Sequence, residues 1–582
     1  MHLTTIDWSI VIAFFVISLL IGIITSKKAG KSSEDFFLSG RNMPWWLLGI
    51  SMVATTFAAD TPGLVTNIVR DENGGVFGNW VWWSMLLTGM LTVFFYARLW
   101  RRSGVTTDLE FYEMRYSGKA ASFLRGFRAI YLGVIFNVIT MAGVCYAGIK
   151  IGHVLLGLSP MQTLLIAGTV TTIYSLLGGL KGVLITDFFQ FIIAMVGAVW
   201  ATVYIVNMPE IGGTENLLAH PSLEGKLDIF PDFSNWEILI PLFIIPLAVQ
   251  WWSTWYPGAE PGGGGYIAQR MLAAKDEKNA TWAVLFFNFA HYALRPWPWI
   301  IVGLASIVVF PSLDSLQAAF PNLESSYVSH DLAYSAMLTY LPPVLLGIVV
   351  TSLIAAFMST ISTQLNWGSS YIVNDFYGRF INRKATEKQN VLIGRISTVL
   401  LMFIAAVLSM FFESAKDVFF LMLMIGAGTG LLFILRWFWK RINPYSEIAA
   451  MVISFLVAVF FFINGKLDDK IIDVPGHWEL VISVIVTTIG WVTVTLLTDP
   501  TDEKTLKEFN AKIFSDENGK INKFKNFQYK IAGFFFATVG VYSALFAIGY
   551  YIYSETNLAY LCTGLFIACV VFLLKFSKKV FS

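Results

Sequence analysis

Fifteen apolar runs follow one another along the chain, and this feature limits the fold more than any other. A membrane-spanning helix needs about 20 consecutive apolar residues, and each run has that length. The runs lie near 7–25, 44–69, 77–97, 129–152, 161–178, 183–206, 236–257, 281–309, 343–374, 391–411, 417–436, 446–464, 478–497, 531–553 and 557–575. The sequence therefore predicts an all-α polytopic membrane protein with about 15 spans, the first of them retained and not a cleaved signal peptide.

The composition excludes most other classes. Charged residues make up 13% of the 582 residues, whereas a soluble domain carries about 25%. A net charge of +2 gives no reason to expect nucleic acid as a partner. The sequence contains no GxxxxGK[ST] phosphate loop, which disfavours an ATP-driven pump. No nucleophile–base set or metal spacing is visible, so we expect no enzymatic activity.

The basic residues predict the orientation. Of the 40 Lys and Arg residues, 32 fall in loops on one side of the predicted spans, 5 fall on the other side and 3 lie within spans. Because cytoplasmic loops carry the excess of positive charge, we expect the N-terminus outside and the C-terminus in the cytosol. The host membrane is expected to be a bacterial-type plasma (inner) membrane, and the chain is expected to act as a monomer among lipids.

Polar residues within spans are costly and tend to mark functional sites. The second span reads GISMVATTFAADTPGLVTNIV, and its Pro62 predicts a break that frees backbone carbonyls, although an ordinary kink is the alternative. The sixth span carries Asp187, which is a site residue or an interfacial charge. Arg295 in the eighth span needs an anionic partner, an aqueous cavity or a structural ion pair.

The ninth span shows a helical polar face. Its small and polar residues recur at steps of three or four, which places them on one side of a helix, either for close packing or for oxygen ligation of a cation. They are Ser352, Ala356, Ser359, Thr363, Asn366 and Ser370.

A second break is predicted around residues 251–265, where two prolines and several glycines interrupt the seventh span. It lies five spans after the first break. Broken helices at corresponding positions of two halves indicate an alternating-access transporter with an inverted repeat. We therefore divide the chain into regions at the predicted boundaries: a first span and loop (1–43), a first repeat (44–206), an extracellular loop (207–235), a second repeat (236–440) and C-terminal accessory helices (441–582) with a cytosolic segment (499–530).

Four separated motifs resemble those of the sodium:solute symporter family, which includes sodium/galactose, sodium/proline and sodium/sialic acid symporters. They are DFFLSGRNMPWWLLGISMVAT (35–55), GGLKGVLITDFFQ (178–190), YIAQRMLAAKD (266–276) and AAFMSTISTQLN followed by DFYGRF (355–380). The resemblance covers residues 5 to about 465. It implies a LeuT-type five-plus-five inverted repeat with one preceding and four following helices, and Na⁺ as the coupling ion.

The resemblance also implies ion sites. The central sodium site falls on the carbonyls of Ala54, Phe57 and Ala356 and on the hydroxyls of Ser359 and Thr360. A second sodium site, as in sialic acid symporters, would use oxygen-bearing residues near the first. They are Asp187, Ser359, Ser362 and Thr363.

The expected solute site departs from the galactose-binding pattern, because Glu260 stands where that symporter has a sugar-capping tyrosine. The candidate substrate-binding residues are Asp60, Thr61, Asn79, Trp82, Glu260 and Arg295. We expect symport of a small polar solute into the cell, first a sugar or polyol. An anionic solute such as a sugar acid, or an amino acid, is the alternative, and a proton-coupled symporter or a transporter-like sensor is a minor one.

Overall fold

The computed structural model describes residues 3–29, 32–412, 415–465, 467, 469–515 and 519–581. These residues are almost entirely helical and contain isolated β-bridges but no strand. The first helices are α1 (Thr5–Ala29), α2 (Ser33–Leu38), α3 (Trp45–Thr56), α4 (Thr61–Arg70), α5 (Trp80–Trp83), α6 (Leu86–Leu91), α7 (Ala97–Ser103), α8 (Glu110–Arg115), α9 (Gly118–Ile130), α10 (Asn137–Leu156) and α11 (Pro160–Val206).

The middle of the chain continues this pattern with helices α12 to α21. They are α12 (Thr214–Leu218), α13 (Trp236–Leu239), α14 (Trp251–Ser253), α15 (Gly265–Ala273), α16 (Glu277–Phe289), α17 (Pro296–Val309), α18 (Leu313–Ala319), α19 (Leu332–Leu338), α20 (Leu345–Tyr371) and α21 (Glu387–Ser409). π-helical turns join or extend several of them, at Thr92–Tyr96, Tyr131–Phe136, Ile240–Ile244, Pro246–Gln250, Ala290–Leu294 and Ile372–Ile381.

The C-terminal third holds eight further helices among the described residues. They are α22 (Ala415–Gly426), α23 (Gly430–Leu435), α24 (Pro444–Asn464), α25 (Gly476–Leu497), α26 (Glu503–Phe514), α27 (Phe527–Ile552), α28 (Thr556–Lys575) and α29 (Ser577–Val580). Helix α26 lies within the segment 499–530 and buries Phe509, Ile513 and Phe514.

All fifteen predicted spans coincide with helical segments. Within the described residues, 12 helical stretches are long and apolar enough to cross a membrane, and the bent pair α3 and α4 raises the number to 13. The predicted span 161–178 is the first part of α11, which has a non-helical residue at Gly179. The predicted span 417–436 is divided between α22 and α23.

The second span is broken where Pro62 predicts it. Helix α3 ends at Thr56, α4 begins at Thr61, and the two axes differ by 54°. Phe57 leaves helical geometry at φ −92° and ψ 81°. Pro62 occupies the first turn of α4, where its missing N–H costs nothing because first-turn amides have no intrahelical partner.

The seventh span is broken more extensively, between α14 and α15. Gly258, Gly262, Gly263 and Gly265 have φ values of +86°, +77°, +77° and +55°, a region that favours glycine because it lacks a Cβ atom. A β-bridge joins Thr254 to Ala427, so this break lies against the break between α22 and α23.

Helix α20 occupies the centre of the bundle, where it packs against α11, α3 and α10. Its polar face is buried in full, since Ser352, Ser359, Thr363, Asn366 and Ser370 are each at most 5% exposed. Both broken spans therefore face a helix that brings oxygen atoms into the interior.

Candidate functional site

A cavity of about 130 Å³ lies between the two broken spans. A buried water needs about 10–15 Å³ by the same measure, so the cavity has room for roughly ten groups of that size. The lining combines apolar surface with polar side chains, as in sites for small molecules. Its polar and aromatic members are Thr55, Thr56, Asp60, Thr61, Trp82, Thr140, Tyr256, Tyr266, His291, Tyr292, Arg295, Thr360, Gln364 and Phe419.

Four of the six predicted solute-binding residues line this cavity. Asp60 and Thr61 lie at the first break, Trp82 comes from the third span and Arg295 follows a π-helical turn of the eighth span. Arg295 lies more than 200 residues along the chain from the other three, so only the fold brings it to them.

Asn79 and Glu260 do not line the cavity. The Asn79 side chain is fully buried, donates to the carbonyl of Val76 at 3.0 Å and accepts from the indole N–H of Trp82 at 2.8 Å. Asn79 therefore positions the Trp82 ring from the side that faces away from the cavity. Glu260 is directed into a separate, smaller cavity.

Arg295 is the unusual group of the lining. It is 1% exposed and forms no ion pair with any carboxylate of the described residues. One terminal nitrogen donates to the Val53 carbonyl at 3.1 Å, and the guanidinium lies over the Trp299 ring at 5.1 Å. Buried charges are normally paired, so a guanidinium with neutral partners beside a cavity is a candidate ligand-binding group.

The sequence reasoning missed His291, Tyr256 and Gln364, which also line the cavity. His291 Nδ1 lies 3.0 Å from the Thr56 hydroxyl, and its ring packs edge-on against Trp82. The sequence did indicate His291, because residues four apart share a helix face and His291 precedes the candidate residue Arg295 by four positions.

The predicted central sodium site lies where α20 meets the end of α3. The Thr360 hydroxyl donates to the Thr55 carbonyl at 2.9 Å, next to the predicted Ala54 ligand. The Ala58 amide, which would bond to Ala54 in a continuous helix, donates instead to the Thr61 hydroxyl at 3.2 Å. The break therefore leaves carbonyl oxygens such as those of Ala54 and Phe57 outside the helical hydrogen-bond pattern, close to the Ser359–Thr360 pair.

The residues of the predicted second sodium site form one buried network. Asp187 accepts hydrogen bonds from Ser359 at 2.6 Å and from Ser51 at 2.5 Å. Ser362 donates instead to the Ser359 carbonyl, at 3.0 Å, and Thr363 lies 3.1 Å from the Thr55 hydroxyl.

Arg270 joins the same network, a residue to which the sequence reasoning gave no role. Its guanidinium donates to Thr363 at 2.7 Å, to Ser51 at 3.3 Å and to Gln269 at 3.0 Å. The positive charge of Arg270 and the negative charge of Asp187 act on each other through the shared Ser51 hydroxyl. A cation bound at Asp187 would share that carboxylate with Arg270.

A second cavity of about 180 Å³ adjoins the solute cavity, and the two share Leu64 and Phe419 in their linings. This second cavity, the vestibule, is also lined by Asp71, Asn73 and Glu237. Two apolar side chains therefore stand between the solute cavity and the vestibule.

The model of the sodium:solute symporter family matches residues 36–454. The chain belongs to this family. The symporter is 26% identical over 468 residues to the sodium/glucose cotransporter of Vibrio parahaemolyticus, covering 76% of this chain and 83% of the relative. It is 26% identical to the sodium/myo-inositol cotransporter of Canis lupus familiaris (87% and 75% covered) and 22% identical to the sodium/sialic acid symporter of Proteus mirabilis (83% and 94% covered).

The fold has a solved counterpart. A structure of a Na⁺-coupled sialic acid symporter in a substrate-bound outward-open state aligns with a TM-score of 0.68 at 19% identity, over 86% of this chain and 99% of that one. The match confirms the LeuT-type fold. The protein is therefore an integral membrane symporter that uses Na⁺ as its coupling ion, and it is not an enzyme.

Proposed function

We propose that this symporter carries a neutral sugar or polyol into the cell together with Na⁺. The observation that carries the proposal is the cavity between the two breaks. One carboxylate and one guanidinium, Asp60 and Arg295, leave its lining without net charge, which favours a neutral solute. Each hydroxyl of a polyol both donates and accepts, and the threonine, tyrosine and glutamine side chains of the lining match that chemistry.

The relatives support this choice, because their names specify glucose, mannose and myo-inositol as well as sialic acid. The Trp82 ring, held by Asn79, adds an apolar surface of the kind that packs against a sugar ring.

A sugar acid is the second candidate, and Arg295 is the observation that favours it. A guanidinium binds a carboxylate through two parallel hydrogen bonds, and Arg295 has no carboxylate partner among the described residues. An amino acid would use Arg295 for its carboxylate and Asp60 for its ammonium group.

For transport we propose alternating access. Na⁺ binds from outside between α3 and α20, at Ala54, Phe57, Ala356, Ser359 and Thr360. Because this site adjoins Thr55 and Thr360 of the cavity lining, bound Na⁺ stabilises the surface that receives the solute. The membrane potential adds about 2.3 kcal/mol per charge per 100 mV. A second Na⁺ at Asp187 is a further part of the proposal, and Arg270 opposes it electrostatically.

We place the protein in a bacterial-type inner membrane as a monomer, with the N-terminus outside. The distribution of 32 basic residues on one side of the spans supports this orientation. On that assignment the vestibule opens to the outside, because it is lined by the end of the second span and the start of the seventh. This orientation can be tested with single cysteines introduced in 207–235 or in 499–530 and an impermeant thiol reagent on intact cells. The reagent should label the first region and not the second.

The test of the substrate is a thermal-shift panel with and without Na⁺. Neutral hexoses, inositols, sugar acids and amino acids are added to the purified symporter, and stabilisation that requires both solute and Na⁺ identifies the substrate class. Na⁺-driven uptake into proteoliposomes then confirms transport. A sugar acid as the only stabilising solute would reject the neutral-solute proposal in favour of the second candidate.

A further inference from the structure

A third, very small cavity lies beside the solute cavity, between the third span, the second break and α16. Its volume is about 10 Å³, the size that a single water or ion occupies. Its lining combines backbone with a few polar side chains. The residues are Thr88, Gly89, Thr92, Gly258, Ala259, Glu260, Gly263, Ile267, Val284, Phe287 and Asn288.

Glu260 directs a carboxyl group with unsatisfied oxygens into this interior. Its side chain is 3% exposed, and neither of its oxygens accepts a hydrogen bond of normal geometry from the described residues, with the backbone amides of Gly258 and Glu260 nearby. It also forms no ion pair with a described Lys or Arg. A buried carboxyl group is unfavourable unless it binds a cation or accepts a hydrogen bond from a donor.

Asn288 contributes a second unsatisfied oxygen. The side chain is fully buried, its amide nitrogen donates to the Val284 carbonyl at 2.8 Å, and its Oδ1 accepts no hydrogen bond from the described residues. The amide lies directly on the backbone of Gly89, since a Cβ atom built there would be 1.7 Å from Oδ1. The third span therefore requires glycine at this position to admit Asn288.

The two threonines of the lining also present acceptors. The hydroxyl of Thr88 donates to the Trp251 carbonyl, and that of Thr92 donates to the Thr88 carbonyl at 3.1 Å. Each hydroxyl has one proton, so the lone pairs remain for another ligand.

Apart from the second amide N–H of Asn288, these side chains offer oxygen acceptors, which suits a cation better than an anion. One carboxylate matches one positive charge, and hard oxygen ligands suit an alkali ion. We propose that Glu260, Asn288, Thr88 and Thr92 bind a Na⁺ ion, separate from the sites at Ser359 and Asp187.

Such an ion has a direct route to the solute site. Gly258 and Ala259 line both the small cavity and the solute cavity. An ion held by Glu260 fixes the backbone of the second break, and the same backbone forms part of the solute-binding surface. The ion would therefore raise solute affinity without contacting the solute.

The test is equilibrium binding of radioactive Na⁺ to the purified symporter in the absence of solute. We expect Glu260→Gln, which keeps the shape and removes the charge, to bind one Na⁺ fewer per protein than the wild type. Gly89→Ala displaces Asn288 and should cause the same loss. Glu215→Gln, which removes a charge from an exposed position of α12, is the matched control and should keep the full number.

An unchanged Na⁺ number in folded Glu260→Gln would overturn the proposal. If the variant instead loses a pH dependence of uptake while its Na⁺ number stays the same, the group carries a proton and the Na⁺ assignment is equally wrong. Should Glu260→Gln fail to fold, Asn288→Ser decides by the same count. Because no solute is present, the result is independent of whether the substrate is a sugar.

Discussion

Two buried arginines of the symporter have opposite surroundings. Arg270 is fully buried and donates to Ser51, Thr363 and Gln269. The negative charge of Asp187 compensates its positive charge. Arg295 is equally buried, yet its partners are neutral and it lines the solute cavity. An arginine with a complete set of partners stabilises the fold, whereas one that lacks an acid and borders a cavity is available to a ligand.

The largest expected effect is on stability, at Arg270. Arg270→Met leaves the Asp187 carboxylate buried without its cation, and removing one partner of a buried pair costs about 3–5 kcal/mol. We expect a large drop in the thermal unfolding temperature, measured in detergent. Asp187→Asn in the same chain removes the uncompensated charge and should recover most of the loss. An unchanged unfolding temperature of Arg270→Met would show that Arg270 does not stabilise the fold.

Arg295 is expected to affect transport and not folding. Arg295→Met removes the guanidinium from the cavity, and losing one partner of a buried charged contact costs about 2–5 kcal/mol of solute binding. Uptake should fall at least about 30-fold with little change in the unfolding temperature. Arg295→Lys keeps the charge but loses the planar fork, so partial uptake is expected for a polyol and near-complete loss for a carboxylate held by two bonds. Normal uptake by Arg295→Met would exclude a role in solute binding.

A smaller effect is expected at the proposed central sodium site. Ser359→Ala removes one hydroxyl ligand, and a hydrogen bond to a charged group contributes about 1.5–3 kcal/mol. The Na⁺ concentration for half-maximal uptake should rise about tenfold or more. Ser369→Ala is the matched control, because that buried hydroxyl of the same helix donates to the Leu365 carbonyl at 2.6 Å. Equal Na⁺ dependence of the two variants would remove Ser359 from the site.

The smallest effect is expected behind the cavity, at Asn79. Asn79→Ala deletes the acceptor of the Trp82 indole without touching the cavity surface. A neutral hydrogen bond contributes about 1 kcal/mol, so the solute concentration for half-maximal uptake should rise about fivefold while Na⁺ dependence is unchanged. An effect as large as that of Arg295→Met would mean that Asn79 reaches the solute in another state of the cycle.

The fold could be predicted because its signals are local. Each span has its own apolar run, and Pro62 and the glycines after Gly258 mark both breaks within a few residues. Helix α11 has its non-helical residue at Gly179, and Gly428, with φ +79°, lies in the break between α22 and α23, so these interruptions are local features too.

The candidate site could be predicted only in part, because its contacts join distant segments. Asp60 and Arg295 stand out as charges within apolar runs, and both line the cavity. Glu260 is equally conspicuous as a charge, yet after the turn at Gly258 it lines the small cavity and not the solute cavity. Arg270 was visible in a motif, but nothing in the sequence shows that it shares a hydroxyl with Asp187.

The last two long helices, α27 and α28, form a hairpin that is bonded through α27 to the third and eighth spans. The Tyr542 hydroxyl donates to the Trp83 carbonyl at 2.9 Å, and the Trp297 indole donates to the Leu545 carbonyl at 2.8 Å. Trp297 lies against Gly549 so closely that a Cβ atom there would be 2.0 Å from its ring. Trp83 and Trp297 belong to the third and eighth spans, which also supply Trp82 and Arg295 to the cavity. In the proposed alternating-access cycle we expect the added hairpin to move with these two spans, and α28, most of whose side chains are exposed, to carry that movement into the surrounding lipid.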